Sequence, residues 1–105
     1  MKNLDVIEKF IFLQGKEKSK TQHLYIDTEN KQLINYNTVI AQWNGTEEQT
    51  KEIEINCNKY STTTSKIQTQ IYNTLKRAKQ FYNFIIVLNG NEKEVAKVTK
   101  ILNEN

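Results

Sequence analysis

Between Glu52 and Tyr82 the chain reads EIEINCNKYSTTTSKIQTQIYNTLKRAKQFY, and a change of period inside this stretch decides the fold. Up to Cys57 the pattern alternates. Ile53, Ile55 and Cys57 fall on one side and Glu52, Glu54 and Asn56 on the other, as a half-buried strand requires. From Tyr60 to Tyr82 the period lengthens: Ile67, Ile71, Leu75, Ala78 and Tyr82 follow at spacings of 4, 4, 3 and 4, which on a helix stacks them into one narrow apolar seam. The hydroxyl cluster Ser61–Ser65 stands where that helix must begin and offers several N-caps. A strand giving way to a helix with one apolar seam predicts α+β architecture.

Upstream, the alternation in HLYID (residues 23–27) puts Leu24 and Ile26 on one face. TENK (28–31) reads as a turn, and LINYNTVIAQW (33–43) as a second strand. The apolar parity of that second strand shifts near Asn35–Thr38, which one extra residue, a β-bulge, would reconcile. Asn44–Gly45 signals a turn before Glu52. The connections between these strands are short, so they pair as an antiparallel meander. At the start, Leu4, Ile7 and Ile11 follow helical spacing, with Asn3 as a cap and Gly15 as a stop, although the run Phe10–Leu13 also fits a strand. KEKSK (16–20) is a polar loop. Beyond the long helix, Phe81–Leu88 suits either its buried end or a β-branched strand, and Asn91 with Glu94 caps a last helix with a stripe of Val95, Val98, Ile101 and Leu102. The expectation is an N-terminal helix, a three-stranded antiparallel β-meander, a long amphipathic helix and a C-terminal helix, with residues 1–105 as a single domain.

Composition narrows the chemistry. With 37% hydrophobic and 26% charged residues, the 105-residue chain has the balance of a globular protein. A single cysteine, Cys57, excludes an internal disulfide, and one Cys with one His, His23, cannot build a structural zinc site. The apolar runs Phe10–Leu13 and Phe84–Leu88 are too short to span a bilayer, and no secretory leader is evident, so a cytoplasmic protein in a bacterial host is expected. No nucleophile–base pair, glycine-rich phosphate loop or His-x-x-x-His occurs. Glu47–Glu48 and Glu52/Glu54 read as solvated turn and strand charges. The residues therefore predict no enzyme, no cofactor and no metal.

The net charge of +3 is unevenly spread. Residues 1–58 hold seven lysines against nine carboxylates, whereas residues 59–105 hold eight Lys/Arg against three. No acidic residue occurs between Glu54 and Glu92, while Lys59, Lys66, Lys76, Arg77 and Lys79 all lie in that gap. At ~100° per residue, Lys66, Gln70, Asn73 and Arg77 line up roughly opposite the apolar seam, flanked by Thr69, Lys76 and Gln80. Amide and guanidinium groups of this kind match base edges. Lys59, Ser61, Thr63, Lys76 and Lys79 would take phosphates, helped by the positive end of the helix dipole. The same pattern also describes an ordinary solvated helix face. Tyr25, Tyr36, Trp43 and Tyr60 are stacking candidates for bases and equally suit core or rim packing.

Two segments carry a likeness. Leu24–Ala41 (LYIDTENKQLINYNTVIA) and Tyr60–Gln68 (YSTTTSKIQ) resemble a group of small, largely uncharacterised proteins of phages and mobile elements, which carry a Y-S-x-T-T-S-(K/R)-x-Q motif. Tyr60, Ser61, Thr63, Thr64, Ser65, Lys66 and Gln68 match it, Asn35 stands where that group usually has Ser, and Ile67 where His is common. The resemblance implies a mobile-element origin and a helix–meander–helix order, and assigns no activity. The combined expectation is a non-enzymatic DNA-binding accessory protein of a phage or conjugative plasmid. DNA is expected over RNA, with homodimerisation through Phe84–Leu88 or the last helix. The rival expectation is a protein–protein inhibitor of host defence, anti-CRISPR-like, using the same basic helix against an acidic surface.

Overall fold

The structure, a computed structural model, describes residues 2–45 and 51–104. In chain order the elements are α1 (Asn3–Phe12), β1 (Leu24–Asp27), β2 (Gln32–Asn35), β3 (Thr38–Asn44), β4 (Glu52–Asn56), α2 (Thr62–Ala78), β5 (Ile85–Asn89) and α3 (Glu92–Asn103). The α+β class holds. The sheet, however, has five strands in the order β1-β2-β3-β4-β5, and it is mixed: β1 to β4 pair antiparallel, and β5 returns parallel to β4 after the α2 crossover. None of the helices is long and apolar enough to cross a membrane.

Two expectations about strands are corrected. Residues 33–43 are not one bulged strand but parts of β2 and β3, joined by a hairpin turn at Tyr36–Asn37. That turn lacks Gly and Pro, and Tyr36 sits at φ +55°, a region that bulky residues rarely adopt. His23 holds it there: its carbonyl accepts the Tyr36 N–H at 2.8 Å and Asn35 Nδ2 at 3.0 Å, and its ring stacks on Tyr36 at 4.5 Å. A bulge exists too, one step further on, where Ile40 is the extra residue between the pairs Ile34–Val39 and Leu33–Ala41. The segment Phe81–Leu88, which suits either a helix end or a strand, divides. Residues 81–84 leave α2 as turn and loop, and its β-branched run from Ile85 enters strand β5, so the helical extension is the second expectation corrected. Consequently the long helix ends at Ala78, and Tyr82 is exposed rather than in the seam.

The inward strand residues Leu24, Ile26, Leu33, Ala41, Trp43, Ile53 and Ile55 meet Val6, Ile7, Phe10 and Ile11 of α1 and Ile67, Ile71 and Leu75 of α2 in one core. Val98 joins from α3. All three helices thus lie on one face of the sheet, with α2 in the middle. Trp43 ties the layers together, its Nε1–H donating to the Phe10 carbonyl at 2.9 Å near the C-terminal end of α1. Asn3 does not cap α1; the helix starts at Asn3 itself, and Asp5 accepts the Lys2 N–H. The helix is ended by two left-handed residues after its C-cap Leu13: Gln14, at φ +57°, turns the chain, and Gly15, at φ +70°, closes the cap by donating its N–H back to the Phe10 carbonyl.

None of the helices covers the opposite face of the sheet. There a ladder of amides and carboxylates crosses the strands: Gln32 donates to Gln42, Gln42 to Asn44, Asn44 to both Glu52 and Glu54, and Asn89 to Glu54. Glu52 and Glu54 are therefore hydrogen-bonded members of the sheet surface rather than free solvated charges. Glu47 and Glu48 lie outside the described residues.

Candidate nucleic-acid interface

The start of α2 is fixed by side chains. Ser61 is the N-cap, its Oγ accepting the Thr64 N–H at 3.3 Å and donating to Thr64 Oγ1 at 3.2 Å. Thr64 is buried and donates to Asn35 Oδ1 at 2.7 Å, which links the helix to the β2–β3 turn. One turn later Gln68, also buried, donates from Nε2 to the carbonyls of Asn56 and Asn58, both at 2.9 Å. Tyr60 Oη accepts from Asn56 Nδ2 at 2.9 Å. Within residues 60–68, Tyr60, Ser61, Thr64 and Gln68 therefore form a clamp. It satisfies backbone carbonyls left over at the end of β4 and seats α2 on the sheet.

The residues expected to meet nucleic acid lie elsewhere on the same helix. Lys59, Ser61, Thr63, Lys66, Asn73, Arg77 and Lys79 are exposed, and Gln70 and Lys76 are half-buried. They are not equivalent. Ser61 is occupied as the cap. Arg77 Nη2 pairs with Glu8 Oε2 of α1 at 3.3 Å and reaches Thr74 Oγ1 at 3.4 Å, so its charge is partly satisfied within the protein. Lys59, Lys66, Lys76 and Lys79 make no ion pair with a described residue. These four stand in two groups, at the two ends of α2. Lys66 and Lys76 are ten positions apart, or ~15 Å along a helix. Thr69, Gln70 and Asn73 form the uncharged stretch between them.

α2 is flanked on both sides, by α1 through Glu8 and by α3 across a cleft lined by Ser65, Thr69, Glu94 and Lys97. A helix with its side chains is ~10–12 Å across and nearly fills the ~12 Å major groove on its own. A middle helix with neighbours at ordinary packing distance of ~8–10 Å can bring only its outermost ridge to a duplex. The geometry favours contact with phosphate rows over insertion into a groove. Among the stacking candidates, Trp43 is core, whereas Tyr25, Tyr36 and Tyr60 are exposed.

The cleft between α2 and α3 has a floor of Cys57 and Tyr72. Burial pushes the Cys57 thiol up to about 11 and raises the Tyr72 hydroxyl as well. Cys57 is a protonated, unreactive side chain at neutral pH. Sequence reasoning placed it inward and missed Tyr72, whose position beside the seam carries no periodic signal. Among the described residues no three His, Cys, Asp or Glu side chains converge as metal ligands would. Set against protein-family models, curated proteins and solved structures, the chain matches none.

Proposed function

We propose that the protein is a non-enzymatic DNA-binding accessory protein of a mobile genetic element, acting as a homodimer in the bacterial cytoplasm. The observation that carries this reading is the set of lysines on α2 and at its two ends, Lys59, Lys66, Lys76 and Lys79, which are free of ion pairs with described residues, while no residue of α2 is acidic. Flanked as it is, α2 suits phosphate contact more than base readout, so affinity with modest sequence preference is expected. Four lysines that each neutralise one phosphate give a slope of log K against log salt of about −3 to −4 on duplex DNA. A mobility-shift series across salt concentrations measures it. Lys66→Ala combined with Lys76→Ala should flatten the slope by about 2. Absence of any shift at low salt, or an unchanged slope in the double variant, removes the reading.

One observation supports a second reading, an anti-CRISPR-like inhibitor of host defence. Arg77 already pairs with a carboxylate, Glu8 of α1, and a carboxylate on a partner protein could be met by the neighbouring lysines in the same way. Nuclease-resistant co-purification with a host effector would favour it over DNA.

A further inference from the structure

The two edges of the sheet are treated differently. Along β1, the preceding loop closes the edge: Ile26 N–H donates to the Ser19 carbonyl at 3.0 Å, Thr21 N–H to the Leu24 carbonyl at 2.7 Å, and Lys20 bridges to Tyr25. Along the outer edge of β5 no described residue makes a comparable backbone hydrogen bond. Ile85 N–H reaches the Lys51 carbonyl and the Asn89 carbonyl takes the Cys57 N–H, so residues 85, 87 and 89 face β4 in the parallel ladder. Ile86 and Leu88 then direct their N–H and C=O groups outward, away from β4. Protein edges are ordinarily blunted by lysine, proline, a bulge or a covering segment. The strand IIVLN contains neither proline nor any charge, and Ile85 is 50% exposed. Just before it, Phe81 is 75% exposed. On the helix side of the edge a groove of about 250 Å³ is lined by Ile86, Leu88 and Leu102 on one wall and by Lys79, Thr99 and Asn103 on the other.

We infer that β5 pairs antiparallel with β5 of a second copy, across a twofold axis at Val87, to give a continuous ten-stranded sheet. Three features select a second copy as the occupant. In this register Ile86 and Leu88 of one copy face Leu88 and Ile86 of the other, and four backbone hydrogen bonds are made by the four outward N–H groups. Residues 80–90 carry no charge, so no like charges stand opposite each other along the paired strands themselves. On the helix face, the Ile86–Leu88 pairs cover the apolar wall that these residues form with Leu102. An antiparallel pair has its axis perpendicular to the sheet, so both α2 ridges emerge on the same face. The inference rests on the dimer in the reading above and is independent of its DNA component.

Sedimentation velocity over a concentration series, with cross-linking by engineered cysteines, tests it. The wild-type chain should sediment at twice its 12.4 kDa mass. Val87→Cys should form a disulfide-linked dimer without a reductant, because the two Cα atoms at the axis of a non-hydrogen-bonded pair lie ~4.5 Å apart. Ile85→Cys should not, since its copy lies four residues away along the neighbouring strand, ~13 Å. Val87→Lys should sediment as a monomer with an unchanged circular dichroism spectrum. A monomer at 100 µM wild-type protein overturns the inference. So does a dimer that Val87→Cys fails to cross-link, or one that persists in Val87→Lys. DNA affinity is read separately by mobility shift, so failure of the dimer and failure of DNA binding are distinguishable.

Discussion

The two sides of α2 use the same residue types for opposite purposes. Thr64 and Gln68 are buried and donate to groups that would otherwise be left unpaired, whereas Thr63, Thr69 and Asn73 face solvent and Gln70 is half-exposed. A threonine or glutamine in this helix therefore cannot be assigned a role by type, only by the side it occupies. The conclusion for function is direct. Within residues 60–68, Thr64 and Gln68 are on the inner side, while Lys66, part of the charge that suggests a polyanion partner, is on the outer side. The residues that seat the helix and those that a partner would read are separated by about half a turn.

The largest effect is expected at Gln68. Gln68→Ala removes two hydrogen bonds and leaves the Asn56 and Asn58 carbonyls without a donor, at a cost of about 2–4 kcal/mol. Gln70→Ala, two residues on, should change stability by less than ~0.5 kcal/mol. Urea unfolding of the two variants compares them directly. Equal losses would break the distinction between the sides, because they would mean that the inner clamp is no more structural than the outer ridge.

A smaller effect belongs to the pair Cys57–Tyr72 on the flank facing α3. Both groups are buried and neutral in the folded state, and both are easier to ionise once unfolded. With the thiol raised from 9.0 to about 11, the folded chain holds its proton where the unfolded chain releases it. Stability is then full below pH 9 and declines as pH rises towards 11, by on the order of 2 kcal/mol for the thiol. Urea midpoints measured from pH 7 to 11 follow it. Cys57→Ala should flatten the part of the decline that begins at pH 9. A decline of the same size in that variant would assign it to other groups.

The same division explains what could be read from the sequence. The apolar periods of Ile53–Cys57 and Ile67–Ala78 were legible because burial imposes spacing, and they place strand β4 and helix α2 correctly. The hairpin at Tyr36–Asn37 was not, because its conformation comes from the His23 carbonyl and ring, contacts made by a residue 13 positions earlier. The fate of Phe81–Leu88 was undecided for a related reason. A short apolar run fits strand or helix until the free edge of β4 is available to pair with it. At the candidate site, exposure of Lys66 and Asn73 followed from their angle to the seam, but the Arg77–Glu8 pair joins residues 69 positions apart and has no local signature.

The smallest effect, at Ser61, separates cap from contact most cleanly. The residue lies at the junction of the two sides: its hydroxyl caps α2, yet it is exposed at the positive end of the helix dipole, where a phosphate would sit. Ser61→Ala should cost about 1 kcal/mol, the ordinary value of an N-cap. Ser61→Asp should restore that stability, since a carboxylate both accepts the Thr64 N–H and favours the dipole. If a phosphate also rests there, the aspartate variant will be as stable as wild type but will bind DNA more weakly than the alanine variant, most visibly at low salt. If Ser61 serves only the inner side, Asp and Ala variants will differ in thermal midpoint and not in mobility shift, and the outer ridge would then begin at Lys66 instead of at the cap.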